Sequence, residues 1–297
     1  MAIEITLTQT SFFKKRLHAQ DIIQDDLSYG VVDNTWRLID PRDLQSVYYC
    51  FYNPNHIGCG VRVYYHPRHK ETFSLTLPTP GTEYDIEVGY QVLERVMEKW
   101  NLHTFLQDGQ EYEKEDINHL TEKMKQFNIA KFSNLDTSEE TILIPCVKWP
   151  ILFSSKEVEE WIEKEDMESF TKRLHELQEK DYYYAIPRLF QKSEGNLLAV
   201  YAISPDTDTI LPMEPSLGLY LDKTYRQQSH LNIDFQIGLI SYEDHGVIGQ
   251  IPYNTFLEEV SFDACEKYDE AHRIVKALSE KRIHEIAYRY RSENEEN

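Results

Sequence analysis

The chain has 297 residues, with 51 acidic and 31 basic side chains, a net charge of -20, and 41% hydrophobic and 12% aromatic content. That apolar content supports a packed globule over a disordered chain, and the length suffices for one large domain or two ordinary ones. The negative balance argues against nucleic acid and anionic membrane as partners, because phosphate-rich surfaces are bound through cations.

Ile3, Ile5 and Leu7 alternate with Glu4, Thr6 and Thr8, the period-two pattern of a half-buried strand. A short helix is predicted over 18–24, then strands over 29–32, 36–38, 46–52, 61–66 and 72–77, in the outline of an antiparallel meander. Leu77-Pro78-Thr79-Pro80-Gly81 stops strand pairing, and Thr82 with Asp85 forms a capping box that opens a helix. Its apolar stripe is Ile86, Tyr90, Leu93, Val96, Met97 and Trp100. A second helix is predicted over 114–127.

The polar stretch 131–140 is the expected boundary between an N-terminal half, 1–135, and a C-terminal half, 136–297, which form either two domains or one continuous one. Residues 141–153 read as buried strand interrupted by Pro145 and Pro150. Ser154 and Glu157 repeat the cap signal and open a helical stretch carrying Trp161, Phe170 and Leu174. A second strand set is predicted over 182–191, 197–203, 209–211, 217–221, 233–242 and 247–251, with a hairpin turn at 243–246. Helices over 253–260 and 263–278, and one starting near Ser279, close the chain. The expected fold is α+β, mainly antiparallel sheets with packed helices, strands preceding helices in each half.

The N-terminal MAIEITLTQT lacks the basic and long apolar regions of a secretory signal, and no apolar run approaches the length of a membrane span. Cys50, Cys59, Cys146 and Cys265 are irregularly spaced, which reads as reduced thiols in a cytoplasmic protein. No G-x-x-x-x-G-K-[ST], G-x-S-x-G or G-x-G-x-x-G motif occurs, and no cofactor is expected. Asp269-Glu270-Ala271-His272 spells a helicase box without its phosphate loop and falls in a predicted helix, so it reads as a chance match. His66 and His69, with Cys50 and Cys59 upstream, allow a four-ligand zinc site to be drawn, but neither cysteine belongs to a C-x-x-C pair and two surface histidines on a turn explain the spacing as well. His175-Glu176 and His284-Glu285 each lack the second histidine of a zinc-protease helix and read as helix surface. Asp206-Thr207-Asp208 reads as a turn.

Tyr48-Tyr49, Tyr64-Tyr65 and Tyr182-Tyr183-Tyr184 form a different signal. Successive strand residues point to opposite faces, so each cluster sends one ring to the core and one outward. Outward tyrosines anchor interfaces well, and Tyr64, Tyr65, Tyr182, Tyr183 and Tyr184 are the interaction candidates, although the strand preference of tyrosine alone also explains the clusters and is favoured over an interface.

Three stretches, LSYGVVDNTWRLID (27–40), FYNPNHIGCGVRV (51–63) and YYYAIPRLF (182–190), carry a resemblance to a family labelled only as a domain of unknown function. It comprises chains of about this length from low-GC Gram-positive bacteria. The resemblance implies a bacterial cytosolic origin and carries no site residue.

The function expected from these observations is non-enzymatic action through protein contacts. One form is an immunity-like or inhibitory protein whose acidic face meets a basic partner, since charge complementarity raises association rates. The alternative is an enzyme with dispersed site residues, such as a metal-dependent hydrolase. A mimic of DNA fits less well, because acids such as Glu157, Glu160 and Glu163 follow helical spacing.

Overall fold

The computed structural model describes residues 3–32, 38–39, 48–66, 68, 70–192, 196–217 and 232–295. By its internal contacts the chain divides into two compact units, Met1–Lys180 and Asp181–Asn297, so that residues 131–140 fall inside the first. Both units combine helices with mostly antiparallel sheets, which is the expected α+β class.

The first unit is built on an eight-stranded antiparallel sheet. Its strands are β1 (Ile3–Thr8), β2 (Ser28–Val32), β3 (Leu38–Ile39), β4 (Tyr48–Tyr52), β5 (Val61–Tyr65), β6 (Thr72–Leu77), β7 (Thr104–Gln107) and β8 (Gln110–Glu113). The order β3-β2-β4-β5-β6-β1-β7-β8 contains the expected meander, with the N-terminal strand returning to pair with β6. The β7–β8 hairpin turns through Asp108 and Gly109, both at positive φ, the geometry a two-residue hairpin needs.

Helices α1 (Ala19–Ile23), α2 (Glu83–Trp100) and α3 (Ile117–Phe132) contribute to the core built with this sheet. Thr82 caps α2 as its sequence predicts, its hydroxyl accepting from the Asp85 N–H at 3.1 Å. Gly89 lets α2 approach β6 closely: a Cβ there would stand 2.0 Å from Leu77 Cδ2. Helix α3 runs past its expected end, because Phe132 belongs to a second aromatic core with Phe153, Trp161 and Phe170. That core is completed by the hairpin β9 (Thr141–Ile144) and β10 (Ile151–Ser154), with α4 (Ser155–Glu163), capped by Ser154, and α5 (Met167–Glu179).

Among its described residues the second unit holds two four-stranded sheets. One orders β12 (Arg188–Gln191), β13 (Leu197–Ile203), β15 (Ile233–Ser241) and β16 (Gly246–Pro252), with β13 and β15 parallel. The other orders β11 (Tyr183–Tyr184), β14 (Thr209–Pro212), β18 (His272–Val275) and β17 (Glu266–Lys267). Helices α6 (Tyr253–Glu259) and α7 (Glu280–Glu295) pack on β15 and β16, where Gly249 admits Ala287 of α7.

The helix expected over 263–278 is not formed. A short 3-10 turn, Phe262–Ala264, leads instead into the antiparallel β17–β18 hairpin. Asp269 decides this locally: its carboxylate accepts from the Ala271 N–H at 2.8 Å and turns the chain. Tyr268, Ile274 and Val275 are then buried, and that tertiary burial outweighs the helical spacing. The DEAH tetrapeptide therefore makes a hairpin turn and the first residue of a strand. Of the strand expected over 217–221, Leu217 lies in a bend and 218–221 lie outside the described residues, as do 36–37 and 46–47. No helix among the described residues is long and apolar enough to cross a membrane.

Candidate functional site

Pleating assigns alternate residues of the eight-stranded sheet to its two faces, and the helices cover one of them. The other face carries a row of cross-strand neighbours set by register: Tyr48 opposite Tyr64, Tyr64 opposite Ser74, Ser74 opposite Thr6, and Thr6 opposite Leu106. Five strands contribute uncharged side chains, the next neighbour in register being Glu111 of β8, and the adjacent row on this face carries Arg62 and Glu4. Tyr48 and Tyr64, 58% and 41% exposed, lie with ring centroids 5.3 Å apart, and the Thr6 and Ser74 hydroxyls meet at 3.4 Å. Their neighbours Tyr49 and Tyr65 are buried, so each of these pairs divides between core and surface as the strand period requires.

Beside this row, Arg62 and Thr76 line a cavity of about 460 Å³ whose far wall includes Leu143, Ile144 and Pro145 of the β9 region. Cys59 and Gly60, which also line it, are braced by Asp85, a buried carboxylate accepting from the N–H groups of Cys59 (3.0 Å), Gly60 (2.7 Å) and Thr82 (2.8 Å) and from the Thr82 hydroxyl (2.8 Å). Burial pushes this carboxyl above the usual range, and the four donors pull it back.

Of the zinc-type candidates, Cys50 and Cys59 are buried near one another, and His66 follows the end of β5. Cys50 is buried and packs against Gly60 near Ile57 and Val147. Cys59 is buried at the cavity edge, its thiol raised by contact with the Cys146 thiol and by burial. His66 is half-buried after β5 and accepts from the Arg68 N–H through Nδ1, while His69 lies outside the described residues.

Of the second unit's tyrosines, Tyr182 is half-buried with its ring edge-on to Tyr268, and Tyr183 packs on the core. Tyr184 joins a chain of polar contacts that sequence reasoning missed. Its hydroxyl lies 3.0 Å from His272 Nε2, and His272 Nδ1 lies 2.8 Å from Asp269 Oδ1. An ionised carboxylate only accepts, so a neutral imidazole carries its proton on Nδ1 and accepts from the phenol at Nε2, whereas a protonated one donates from both nitrogens. This has the connectivity of an acid–base relay, with tyrosine in the nucleophile's position. Burial drives the Tyr184 phenol far above its usual range, the reverse of what an activated nucleophile needs. The three residues tie β11 to the β17–β18 turn.

A second group missed at the sequence level joins the β15–β16 turn to the start of α7. Ligand atoms of Glu243, Glu280 and His284 lie within 4.8 Å of one another. His284 Nε2 stands 3.3 Å from Glu280 Oε1 and 3.4 Å from Asp244 Oδ2. The Ser241 hydroxyl and the N–H groups of Tyr242 and Glu243 hold the Glu280 carboxyl below its usual range. His284 lies on the helix surface, as expected, and the two carboxylates with its imidazole could hold a divalent cation with open positions; without one they form an ion pair when the imidazole is protonated. The visible signal was the i, i+4 spacing of Glu280 and His284; the turn that faces them was not legible as a partner.

A family model described as a domain of unknown function, DUF4299, matches residues 2–286. No curated protein and no solved structure matches the chain.

Proposed function

The chain belongs to the DUF4299 family, and on the surface described above we propose that it acts as a non-enzymatic bacterial cytoplasmic protein, through contacts with another protein. The observation that carries this reading is the uncharged row Tyr48-Tyr64-Ser74-Thr6-Leu106 on the sheet face opposite the helices, in a chain where 28% of residues are charged. Charge depletion with aromatic anchors is the composition of an interface core, and the adjoining cavity offers room for a protruding partner side chain. Acidic residues elsewhere suit a basic partner of the kind an immunity-like or inhibitory protein meets, through faster association.

A photo-crosslinking residue at Ser74, in the middle of the row, tests the reading. A discrete protein adduct is expected, lost when Tyr48 and Tyr64 are both replaced by Ser. The reading fails if Ser74 yields no more adduct than Glu159, a control position on the exposed face of α4.

A second reading, a hydrolase dependent on a divalent metal, is favoured by the Glu243, Glu280 and His284 group alone. Metal analysis of protein equilibrated with zinc or manganese and then dialysed decides it: one ion per chain, lost in His284→Ala, favours this reading, and no retained metal removes it.

A further inference from the structure

Between β1 and α1 the chain leaves the sheet as a strap pinned at both ends. Gln9, only 3% exposed, donates from Nε2 to the carbonyls of Lys15 (2.9 Å) and Lys70 (2.6 Å) and accepts from the Lys15 N–H at 2.9 Å. The Leu17 N–H donates to the Tyr65 hydroxyl at 3.0 Å, and the Lys14 ammonium donates to the Gln9 carbonyl. What the strap holds out is apolar: Phe12 is 92% exposed and Phe13 84%, their rings edge to face with centroids 5.2 Å apart. Burying an aromatic ring is favourable, so two neighbouring rings left in water are the kind of apolar exposure that marks a contact site.

The surroundings of the two rings run against the charge of the whole chain. Segments 9–18 and 66–71 hold Lys14, Lys15, Arg16, Arg68 and Lys70 against a single acid, Glu71. Hydrogen bonds from Gln9 to both segments bring them together. In a chain with 51 acids and 31 bases, the two segments held together beside the aromatic pair are thus predominantly basic, with Asp21 accepting from the His18 N–H where the first of them ends.

We propose that this tip docks on the surface of an anionic lipid bilayer, with Phe12 and Phe13 in the headgroup–acyl boundary and the Lys and Arg side chains among the phosphates. The shape selects this occupant. A convex tip of two rings needs either a preformed groove or a fluid apolar layer, and phosphates beside an apolar layer supply both complements at once. Edge-to-face rings present no parallel pair of faces for stacked bases, which disfavours single-stranded nucleic acid. The total charge of -20, which argues against membranes at the sequence level, acts weakly here, because at physiological ionic strength a charge is screened over about 8 Å. Contact of this kind is peripheral, reversible and dependent on salt.

Flotation of the full chain with vesicles tests the proposal, using phosphatidylcholine alone and an equimolar mixture with phosphatidylglycerol. The mixed vesicles should carry the protein at physiological ionic strength and release it at high salt, while phosphatidylcholine alone carries none. Phe12→Ser with Phe13→Ser, and separately Lys15→Glu, should each weaken binding by about tenfold or more. These side chains are exposed, so an unchanged circular dichroism spectrum is expected and separates lost binding from lost folding. Absence of flotation at low salt overturns the proposal, as does equal binding to both vesicle types or binding that survives the double Phe variant. If the double variant instead abolishes self-association measured by light scattering and vesicles carry no protein, the tip serves a second copy of the chain and the lipid assignment falls.

Discussion

Replacing Asp85 by Ala removes the acceptor that joins the start of α2 to the Cys59–Gly60 loop. Three buried N–H groups and one hydroxyl now converge on its two oxygens at 2.7 to 3.0 Å. A buried donor left unpaired costs about 1–3 kcal/mol, and some of the four will find water or relax, so a loss of about 3–5 kcal/mol is expected. That is a large share of the roughly 5–15 kcal/mol by which a domain is stable. Asp85→Asn keeps one acceptor oxygen but turns an amide nitrogen toward at least one donor, and should cost about 1–3 kcal/mol. Urea unfolding followed by tryptophan fluorescence is the assay, because Trp36, Trp100, Trp149 and Trp161 all lie within Met1–Lys180 and report that unit alone. A loss under about 1 kcal/mol for Asp85→Ala would refute the bracing role, since it would mean that the donors are satisfied without the carboxylate.

Gly89→Ala places a methyl 2.0 Å from Leu77 Cδ2, and the resulting overpacking should destabilise the same unit by about 1–3 kcal/mol despite alanine's better helix propensity; a stabilised variant would show that α2 shifts freely on the sheet. In the second unit, Asp269→Ala should lower hydrogen-exchange protection of β14 and β18 by about 2–3 kcal/mol and Tyr184→Phe by about 1, because the first strands a buried imidazole N–H and the second removes one neutral bond. The reverse order would contradict the assigned proton positions. Thiol titration of the native protein at neutral pH should modify Cys265 first, since Cys50, Cys59 and Cys146 are buried and burial raises the Cys50 thiol to about 12. Asp26 is held below its ordinary 3.8 by hydrogen bonds from Arg95, which also donates to the Ile22 carbonyl of α1. A depressed carboxylate contributes stability that is present above 3.8 and lost as pH falls through the folded value, so amides of α1 should lose protection below pH 3.8 before those of α2. Simultaneous loss would refute the local role of the pair.

Legibility differed by element for identifiable reasons. The α2 cap at Thr82 and the α4 cap at Ser154 were readable because a cap is made within four consecutive residues. The division of Tyr48-Tyr49 and Tyr64-Tyr65 between surface and core followed from the strand period alone. The β7–β8 hairpin also has a local signal, Asp108-Gly109, but it lies between two helical patterns that dominate the local periodicity. Residues 263–278 misled because an apolar spacing compatible with a helix also fits a hairpin once Asp269 turns the chain. The polar stretch 131–140 resembles a linker in composition, yet its first residues extend α3 toward an aromatic core assembled from Phe153, Trp161 and Phe170.

What the sequence determined by itself is a set of local preferences: most strands of the N-terminal meander, where α2 and α4 begin, and that two adjacent strand tyrosines divide between core and surface. These depend on dihedral preference, capping and a period of two, all contained within a few residues. What only the tertiary structure decided is which distant residues share a place. Register across five strands aligned Tyr48, Tyr64, Ser74, Thr6 and Leu106 into one uncharged row. Packing brought Tyr184 to His272 and Glu243 to His284. Gln9 joined the backbones of Lys15 and Lys70, bringing two basic segments together next to two exposed phenylalanines in a chain of charge -20. Composition sums charge over the whole chain, whereas a partner meets it only within a screening length of the surface it touches.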